Sequence, residues 1–282
     1  MFPKKTLSVA FAVAMLFGQQ FSSAQGLHIY EVSGFVDSDA IWEVETARPS
    51  ALNPVQQAVN NAIAGFEYGN DVFYAASTND NTELFTLDPA TGALLGTTTM
   101  NFPSVGNVIT SMEFVGDTLY GGLATEAGAA VPGYLARIDT TTGDVNLVGP
   151  MGFNGPTGGL AWNGALYTVN SGATGVATLF TVDTSTGAAK AVGDVVDQNG
   201  SNITLTGLEF GTDGVLYGLG RMPDQDTLFT IDPSSGSATR VGVIANVGTG
   251  STTSLTTVPE PSSLALLAVA CVTMAAIDRR RK

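Results

Sequence analysis

The stretch Leu228-Phe229-Thr230-Ile231-Asp232-Pro233-Ser234-Ser235-Gly236 decides the fold, because its pattern recurs along the chain. Each full copy has apolar residues around a Phe or Ala and then an Asp. Two residues follow, each of them Pro, Thr, Ser or Ala, and the copy ends with a Thr or Ser and a Gly. The other full copies are Leu84-Phe85-Thr86-Leu87-Asp88-Pro89-Ala90-Thr91-Gly92, Leu135-Ala136-Arg137-Ile138-Asp139-Thr140-Thr141-Thr142-Gly143 and Leu179-Phe180-Thr181-Val182-Asp183-Thr184-Ser185-Thr186-Gly187. A degenerate copy, Ile41-Trp42-Glu43-Val44-Glu45, comes first, and successive acidic residues lie 43 to 51 positions apart. A period of this size indicates a repeat architecture.

Three further phrases accompany each copy. An apolar pair that ends in a tyrosine precedes it, with the tyrosines at Tyr30, Tyr74, Tyr120, Tyr167 and Tyr217. Before four of these tyrosines stand Phe66-Glu67-Tyr68, Met112-Glu113-Phe114, Leu160-Ala161-Trp162 and Leu208-Glu209-Phe210. A strand-like run follows each glycine, for example residues 239–244. Four short strands in about 46 residues are typical of a β-propeller blade.

The Asp-x-x-Thr/Ser-Gly segments predict tight turns between strands. An aspartate side chain accepts backbone N–H bonds from residues just after it, and glycine supplies the positive φ that enters the next strand. We therefore interpret Asp88, Asp139, Asp183 and Asp232 as turn residues rather than ligands.

The repeat count predicts an all-β, five-bladed propeller of four-stranded blades. The first copy lacks its leading strand, and residues 250–258 resemble the leading strands elsewhere, so we expect this C-terminal segment to close the ring. Closure matters because an open ring leaves strand edges exposed. The alternative is a larger propeller completed by oligomerisation. Between the first two copies, Asn53 is a candidate helix N-cap and Pro54 a candidate first helical position, which predicts a short helix within residues 53–65, with a looped strand as the alternative.

Charge and composition limit the possible partners. Residues 25–258 contain five basic and 23 acidic residues, a net charge of about −18. Nucleic acid is therefore not an expected partner, since phosphate binding needs positive charge. Divalent cations, basic groups and neutral glycans fit better. The single cysteine, Cys271, and the single histidine, His28, do not make a zinc site or a thiol centre, and we interpret His28 as a solvent-facing strand residue.

The N-terminus has the layout of a secretory signal peptide. Lys4 and Lys5 precede an apolar stretch of about a dozen residues, and small residues lead to a cleavage site between Ala24 and Gln25. A buried N-terminal helix is the alternative. We expect residues 1–24 to be removed on export and residues 25–258 to form the propeller domain.

The C-terminus predicts a membrane anchor that ends in a basic tail. Val258, Pro259, Glu260 and Pro261 precede the uncharged residues 262–277, and Arg279, Arg280, Arg281 and Lys282 end the chain. Basic residues that flank a span mark its cytoplasmic side, so the domain faces outward. A plain transmembrane anchor is the alternative.

This tail, residues 258–282, resembles the PEP-CTERM sorting signal through Pro259-Glu260-Pro261, the apolar span and Arg279-Arg280-Arg281. The resemblance implies recognition by an exosortase, a membrane protease of Gram-negative bacteria that often make exopolysaccharide, with a cut near the Pro-Glu-Pro. It therefore implies a protein anchored in the membrane first and placed at the cell surface or outside the cell after processing.

Two sets of carboxylates are candidate sites. Acidic hairpin loops contain oxygen ligands of the kind that Ca²⁺ takes, although solvated loop tips are the simpler interpretation; the residues are Asp37, Asp39, Asp80, Asp224 and Asp226. Glu67, Glu113 and Glu209 share one position of the repeat. We favour the interpretation that they face hairpin solvent or form edge contacts. The alternative is that they point to the centre of the ring, where they would form an acidic ring that holds a cation or, as a carboxylate pair, hydrolyses glycosides. No other cofactor is expected.

The sequence therefore favours an exported, non-enzymatic propeller that binds a partner or has a structural role. Extracellular polysaccharide and surface proteins are the expected partners, in the cell envelope or the exopolysaccharide matrix. The alternative is a secreted glycan-active enzyme that uses the blade glutamates.

Overall fold

The computed structural model describes residues 26–32, 40–57, 63–77, 82–124, 132–155, 157–170, 177–222, 225–244 and 251–258. Twenty strands and no helix occur in these ranges. No segment in them is a helix with the length and apolarity to cross a membrane. The predicted signal peptide, including Ala24 and Gln25, lies outside the described residues, as do Pro259 and all that follows it.

The strands form five antiparallel sheets of four strands each. From the innermost strand outward, the first sheet contains β20 (Ser251–Thr257), β1 (Gly26–Val32), β2 (Ala40–Glu45) and β3 (Arg48–Gln57). The second contains β4 (Ile63–Gly69), β5 (Val72–Ser77), β6 (Glu83–Leu87) and β7 (Leu94–Thr99). The third contains β8 (Val108–Val115), β9 (Thr118–Ala124), β10 (Pro132–Ile138) and β11 (Val145–Asn154).

The fourth sheet contains β12 (Thr157–Trp162), β13 (Leu166–Asn170), β14 (Thr178–Val182) and β15 (Ala189–Asp194). The fifth contains β16 (Thr204–Phe210), β17 (Leu216–Met222), β18 (Gln225–Ile231) and β19 (Ala238–Val243). The innermost strands contact one another in the order β4, β8, β12, β16, β20 and back to β4. This is the arrangement of a β-propeller. The predicted all-β class and the four-stranded repeat unit are confirmed.

Apolar side chains fill the spaces between neighbouring sheets. Five buried clusters are present, and each joins two adjacent sheets. The cluster between the third and fourth sheets, for example, contains Leu135 and Met151 from one side and Leu160 and Leu166 from the other. Every sheet therefore buries both of its faces, which explains the nearly continuous apolar runs in the inner strands.

The strand β3 corrects the prediction of a helix over residues 53–65. Asn53 and Pro54 lie in β3, where they pair with Glu43 and Trp42 of β2, and Ile63 begins β4; residues 58–62 lie outside the described ones. A proline is tolerated here because β3 is an outermost strand and its register shifts beside Pro54. Pairing with β2 outweighs the helical pattern of the local sequence.

The four Asp-x-x-Thr/Ser-Gly turns form as predicted. The Oδ1 atom of Asp139 accepts the backbone N–H groups of Thr141 and Thr142 at 2.8 and 2.9 Å, and Gly143 has φ +78°. The carboxylates of Asp88 and Asp183 accept the same two backbone bonds, and that of Asp232 accepts the N–H of Ser234. At these three aspartates a hydroxyl of the turn also donates to the carboxylate. The hydroxyl bonds, and at Asp139 the backbone bonds, are the main cause that lowers the pKa of the four carboxyls, because they favour the ionised form.

The turn glycines also pack against the preceding sheet. A Cβ atom added to Gly187 would lie 2.5 Å from the carbonyl oxygen of Gly149, which belongs to β11. Gly143 and Gly236 approach the outermost strands β7 and β15 in the same way. The glycine therefore does two things, since it supplies the positive φ and lets neighbouring sheets come into backbone contact.

We predict that Gly187→Ala destabilises the protein more than Gly164→Ala. Both glycines have φ near +78°, so both variants incur the cost of a left-handed alanine, about 1–2 kcal/mol. Only Gly187 has backbone atoms where the new methyl group would lie, and nothing lies within 4 Å at Gly164. The extra loss at Gly187 should be about 1–3 kcal/mol, measured by urea unfolding; equal losses would show that the contact between sheets is unimportant.

Candidate carboxylate centre

Three glutamates occupy one equivalent position on innermost strands. Glu67 in β4, Glu113 in β8 and Glu209 in β16 each lie opposite a tyrosine of the next strand outward, at Tyr74, Tyr120 and Tyr217. The same position in the fourth sheet holds Ala161, opposite Tyr167. One repeat position therefore contributes carboxylates from three of the sheets.

The strand register of the first sheet corrects the predicted alignment of Tyr30 with the other tyrosines. Leu27 pairs with Val44 as Phe73 pairs with Leu87, which places His28 at the tyrosine position. The innermost partner of His28 is Thr256. The position in β20 equivalent to the glutamates is therefore Thr256, and the side chain of His28 lies outside what the structure describes.

The three glutamates meet at the centre of the ring. Glu67 is 5% exposed, and Glu113 and Glu209 are each 6% exposed. One carboxylate oxygen from each lies within 4.8 Å of those of the other two. The favoured interpretation, that these side chains face hairpin solvent or form edge contacts, is wrong, and the structure shows the alternative, convergence at the centre.

Small residues let the inner strands come this close. The residue two positions before each central one is a glycine or a serine: Gly65, Ser111, Gly159, Gly207 and Ser254. A Cβ atom on Gly207 would lie 3.0 Å from the backbone nitrogen of Leu255 in β20. The hydroxyl of Ser254 donates to the carbonyl oxygen of Ala64 in β4 at 3.0 Å. This pattern of a small residue two positions before each glutamate is visible in the sequence. Only the structure shows that it allows the inner strands to approach one another closely.

Hydrogen bonds link the central side chains to the next sheet. Thr256 accepts the backbone N–H of Tyr68 at 3.0 Å and donates its hydroxyl to Glu67 at 3.2 Å. Glu67 in turn accepts from the backbone of Phe114, the residue after Glu113.

The same pattern continues around the ring. Glu113 accepts from the backbone of Trp162, and Glu209 accepts from the backbone of Thr257. The hydroxyl of Thr257 also donates to Oε1 of Glu209 at 2.9 Å. Four of the five central side chains thus accept a backbone N–H of the following sheet, and Ala161 of the fourth sheet is the exception.

Two buried carboxylate oxygens at this centre, Oε2 of Glu113 and Oε2 of Glu209, accept no hydrogen bond from the surrounding described residues. A proton on Glu113 lets these two carboxyls hydrogen-bond to each other, which helps to raise the pKa of Glu113 and offsets part of the rise in the pKa of Glu209. A buried polar atom without a partner costs about 1–3 kcal/mol. These two oxygens are therefore open positions for a proton, a water molecule or a cation.

Burial and mutual repulsion keep protons on this cluster. Burial is the main cause that raises the pKa of all three carboxyls, and for Glu209 it raises the pKa to about 8. The charge of Glu209 further raises the pKa of Glu67, and the charges of Glu67 and Glu209 raise that of Glu113. Without a cation, the centre carries fewer than three charges at neutral pH.

The acidic hairpin loops are not assembled into a site by the described residues. Asp37, Asp39, Asp80 and Asp224 lie outside them. Asp226 lies in β18 opposite Arg221, and its carbonyl oxygen accepts the N–H of Ile244 at 2.8 Å. The predicted solvated loop tips and the alternative of calcium binding are therefore both untested by the described residues. Of the sorting motif, only Val258 is described, and it packs half-buried against the cluster between the first two sheets.

Comparisons with known proteins find remote structural similarity. No family model and no curated protein matches the chain. Among solved structures, the Dos1 propeller is 15% identical with a TM-score of 0.42 over 77% of this chain, and the chain spans about half, 55%, of that protein. A luciferin-regenerating enzyme is 13% identical with a TM-score of 0.46, over 84% of this chain and 78% of that one.

A third structure, a putative 6-phosphogluconolactonase from Bacteroides fragilis, is 12% identical with a TM-score of 0.43, over 79% of this chain and 83% of the other. At these levels of similarity, the activities of the three proteins carry no argument about this one.

We predict that stability falls as the pH rises from about 4.5 to 8 in buffer free of divalent cations. Burial raises the pKa of the cluster carboxyls above the ordinary value of 4.5. The folded state therefore holds more protons than the unfolded state within this pH window. Each extra proton lowers the free energy of unfolding by about 1.4 kcal/mol per pH unit. The turn aspartates act oppositely, since their stabilising bonds are lost only as the pH falls through their lowered pKa values.

Urea unfolding at several pH values measures this slope. Glu113→Gln should flatten it and raise stability at pH 8, because one buried ionisable group is removed. Glu83→Gln is the matched control, since Glu83 lies in β6 outside the cluster. If Glu113→Gln left the slope unchanged, the pH dependence of stability could not be assigned to the buried carboxyl cluster.

Proposed function

We propose that this chain is an exported, non-enzymatic five-bladed β-propeller, closed by β20, that serves as a binding or structural component of the cell envelope or exopolysaccharide matrix. The PEP-CTERM-like tail anchors it in the membrane until an exosortase-type protease processes it. Its final position is the cell surface or the extracellular space of a Gram-negative-type bacterium.

The burial of the three central glutamates is the observation that supports a non-enzymatic role. These carboxylates are the best reagents that the sequence offers for glycan chemistry, and each is at most 6% exposed. Their hydrogen bonds connect neighbouring sheets. Carboxylates that hydrolyse glycosides must flank a sugar ring, whereas these three face one another.

Surface chemistry supports a binding role outside the cell. Residues 25–258 carry a net charge of about −18, which disfavours anionic partners and suits cationic groups and neutral glycans.

Delivery is supported by the two ends of the sequence. The signal-peptide layout of residues 1–24 and the basic tail Arg279–Lys282 agree on an outward-facing domain. The described propeller ends at Val258, directly before Pro259-Glu260-Pro261. The sorting segment therefore follows the last strand without a folded element between them.

A glycan-active enzyme is the second candidate, and one observation favours it. Burial raises the pKa of Glu209 to about 8, so this carboxyl is protonated at neutral pH, as a general acid must be. Loss of turnover in Glu113→Gln, on a glycan that the native protein cleaves, would support this candidate. Unchanged turnover would remove Glu113 from its mechanism.

We predict that the full-length chain, expressed in a Gram-negative host with an exosortase, is recovered from the envelope or the medium without its basic tail. Mass spectrometry of the mature C-terminus and cell fractionation measure this. Replacing Arg279, Arg280 and Arg281 with alanine should leave the tail uncut or misplace the protein, whereas Arg240→Ala, an exposed charge in β19, should not. An intact chain in the cytosol would contradict the proposed delivery.

The binding role is tested on the same preparation. The exported protein should cosediment with exopolysaccharide or envelope material from its own source and release no reducing sugar. Failure to bind any envelope fraction would contradict the binding role without affecting the result on delivery.

A further inference from the structure

We propose that Glu67, Glu113 and Glu209 bind one calcium ion at the centre of the propeller. The ion would join β4, β8 and β16, three innermost strands that belong to three different sheets. Neither the delivery of the protein nor its binding role is needed for this inference, which rests on the arrangement of the carboxylates.

The unpartnered oxygens are the first argument. Oε2 of Glu113 and Oε2 of Glu209 are buried and, when both carboxyls are ionised, have no hydrogen-bond donor, while other hydrogen bonds hold the same side chains in place. Side chains held in this way present free oxygens to the centre at no further ordering cost. A cation that accepts both oxygens removes the penalty of leaving them unsatisfied.

The spacing of the carboxylates is the second argument. One oxygen from each glutamate lies within 4.8 Å of those of the other two. Two ligands on opposite sides of Ca²⁺ lie about 4.6–5.2 Å apart, since its bonds to oxygen are 2.3–2.6 Å long. The three oxygens therefore fit within the coordination sphere of Ca²⁺. Ca²⁺ also tolerates irregular ligand positions, whereas Mg²⁺ demands a near-ideal octahedron at about 2.0–2.1 Å, so the cluster suits calcium better.

The chemistry of the donors is the third argument. The cluster offers oxygen alone, which selects hard cations over zinc or copper. Three buried carboxylates repel one another in a medium of low dielectric constant, and a divalent cation converts this repulsion into attraction. Water molecules complete the coordination, as is usual for a calcium site with few protein ligands.

The three glutamates belong to three different sheets, so an ion bound to them would link these sheets. Glu67 belongs to the second sheet, Glu113 to the third and Glu209 to the fifth. An ion held by all three joins parts of the chain that are up to 142 residues apart in sequence. Calcium binding should therefore stabilise the assembled ring rather than any single sheet.

The test uses the full-length chain in detergent, stripped of metal with EDTA and titrated with Ca²⁺ or Mg²⁺ at constant ionic strength and pH 7.5. Isothermal titration calorimetry should show one Ca²⁺ per chain and weaker binding of Mg²⁺. The midpoint of thermal unfolding should rise by about 5–10 °C when Ca²⁺ exceeds its Kd about a hundredfold.

Variants locate the ion. Glu113→Gln and Glu209→Gln keep the size of the side chain and should each weaken Ca²⁺ binding at least tenfold, with folding checked by circular dichroism. Glu83→Gln is the matched control outside the cluster and should bind as the native chain does. The double variant Asp224→Asn, Asp226→Asn tests the acidic hairpin and should also bind normally.

Two results would overturn the proposal. One is the absence of stoichiometric Ca²⁺ binding by the native chain up to about 1 mM, the weak end of extracellular calcium sites. The other is Ca²⁺ binding that persists in Glu113→Gln and Glu209→Gln but disappears in the hairpin variant. The native titration alone decides the first, even if a cluster variant does not fold.

Discussion

Burial of apolar surface between neighbouring sheets is the interaction on which the rest of this structure depends. Each sheet has four short strands with apolar side chains on both faces, so it has no solvated face of its own. Five apolar clusters, one at each junction between sheets, remove those faces from water. A single repeat cannot do this alone, and the cyclic contact order of the inner strands gives every sheet two neighbours.

Convergence of the inner strands creates the chemistry at the centre. Small residues such as Gly207 allow close approach, and the central side chains then satisfy backbone N–H groups of the next sheet. Three of the five central positions carry a glutamate. The carboxylates are thus useful to the fold as hydrogen-bond acceptors and costly to it as buried charges. Their raised pKa values reflect the cost of burying negative charges close together. A proton removes part of this cost, and a bound cation removes more of it.

Local patterns in the sequence predicted the local structure well. The Asp-x-x-Thr/Ser-Gly turns formed as expected, because their hydrogen bonds lie within six residues. Predictions that depended on long-range pairing were less successful: residues 53–57 form an edge strand instead of a helix, and His28 takes the position assigned to Tyr30. The convergence of Glu67, Glu113 and Glu209 depends on how the sheets meet, which no local pattern encodes. Only the structure could therefore decide whether these glutamates are exposed or central.

The dependence of the fold on ring closure is tested most directly by the thermal stability of the domain with and without its last strand. The chain ending at Val258 pairs β20 with β1 and places Thr256 beside Glu67, whereas a chain ending at Gly250 lacks β20 altogether. Calorimetry on both should show one cooperative transition for the longer chain. The shorter chain should unfold at a much lower temperature or self-associate through its exposed strand edge. Equal transition temperatures for two monomeric proteins would contradict a ring that depends on closure.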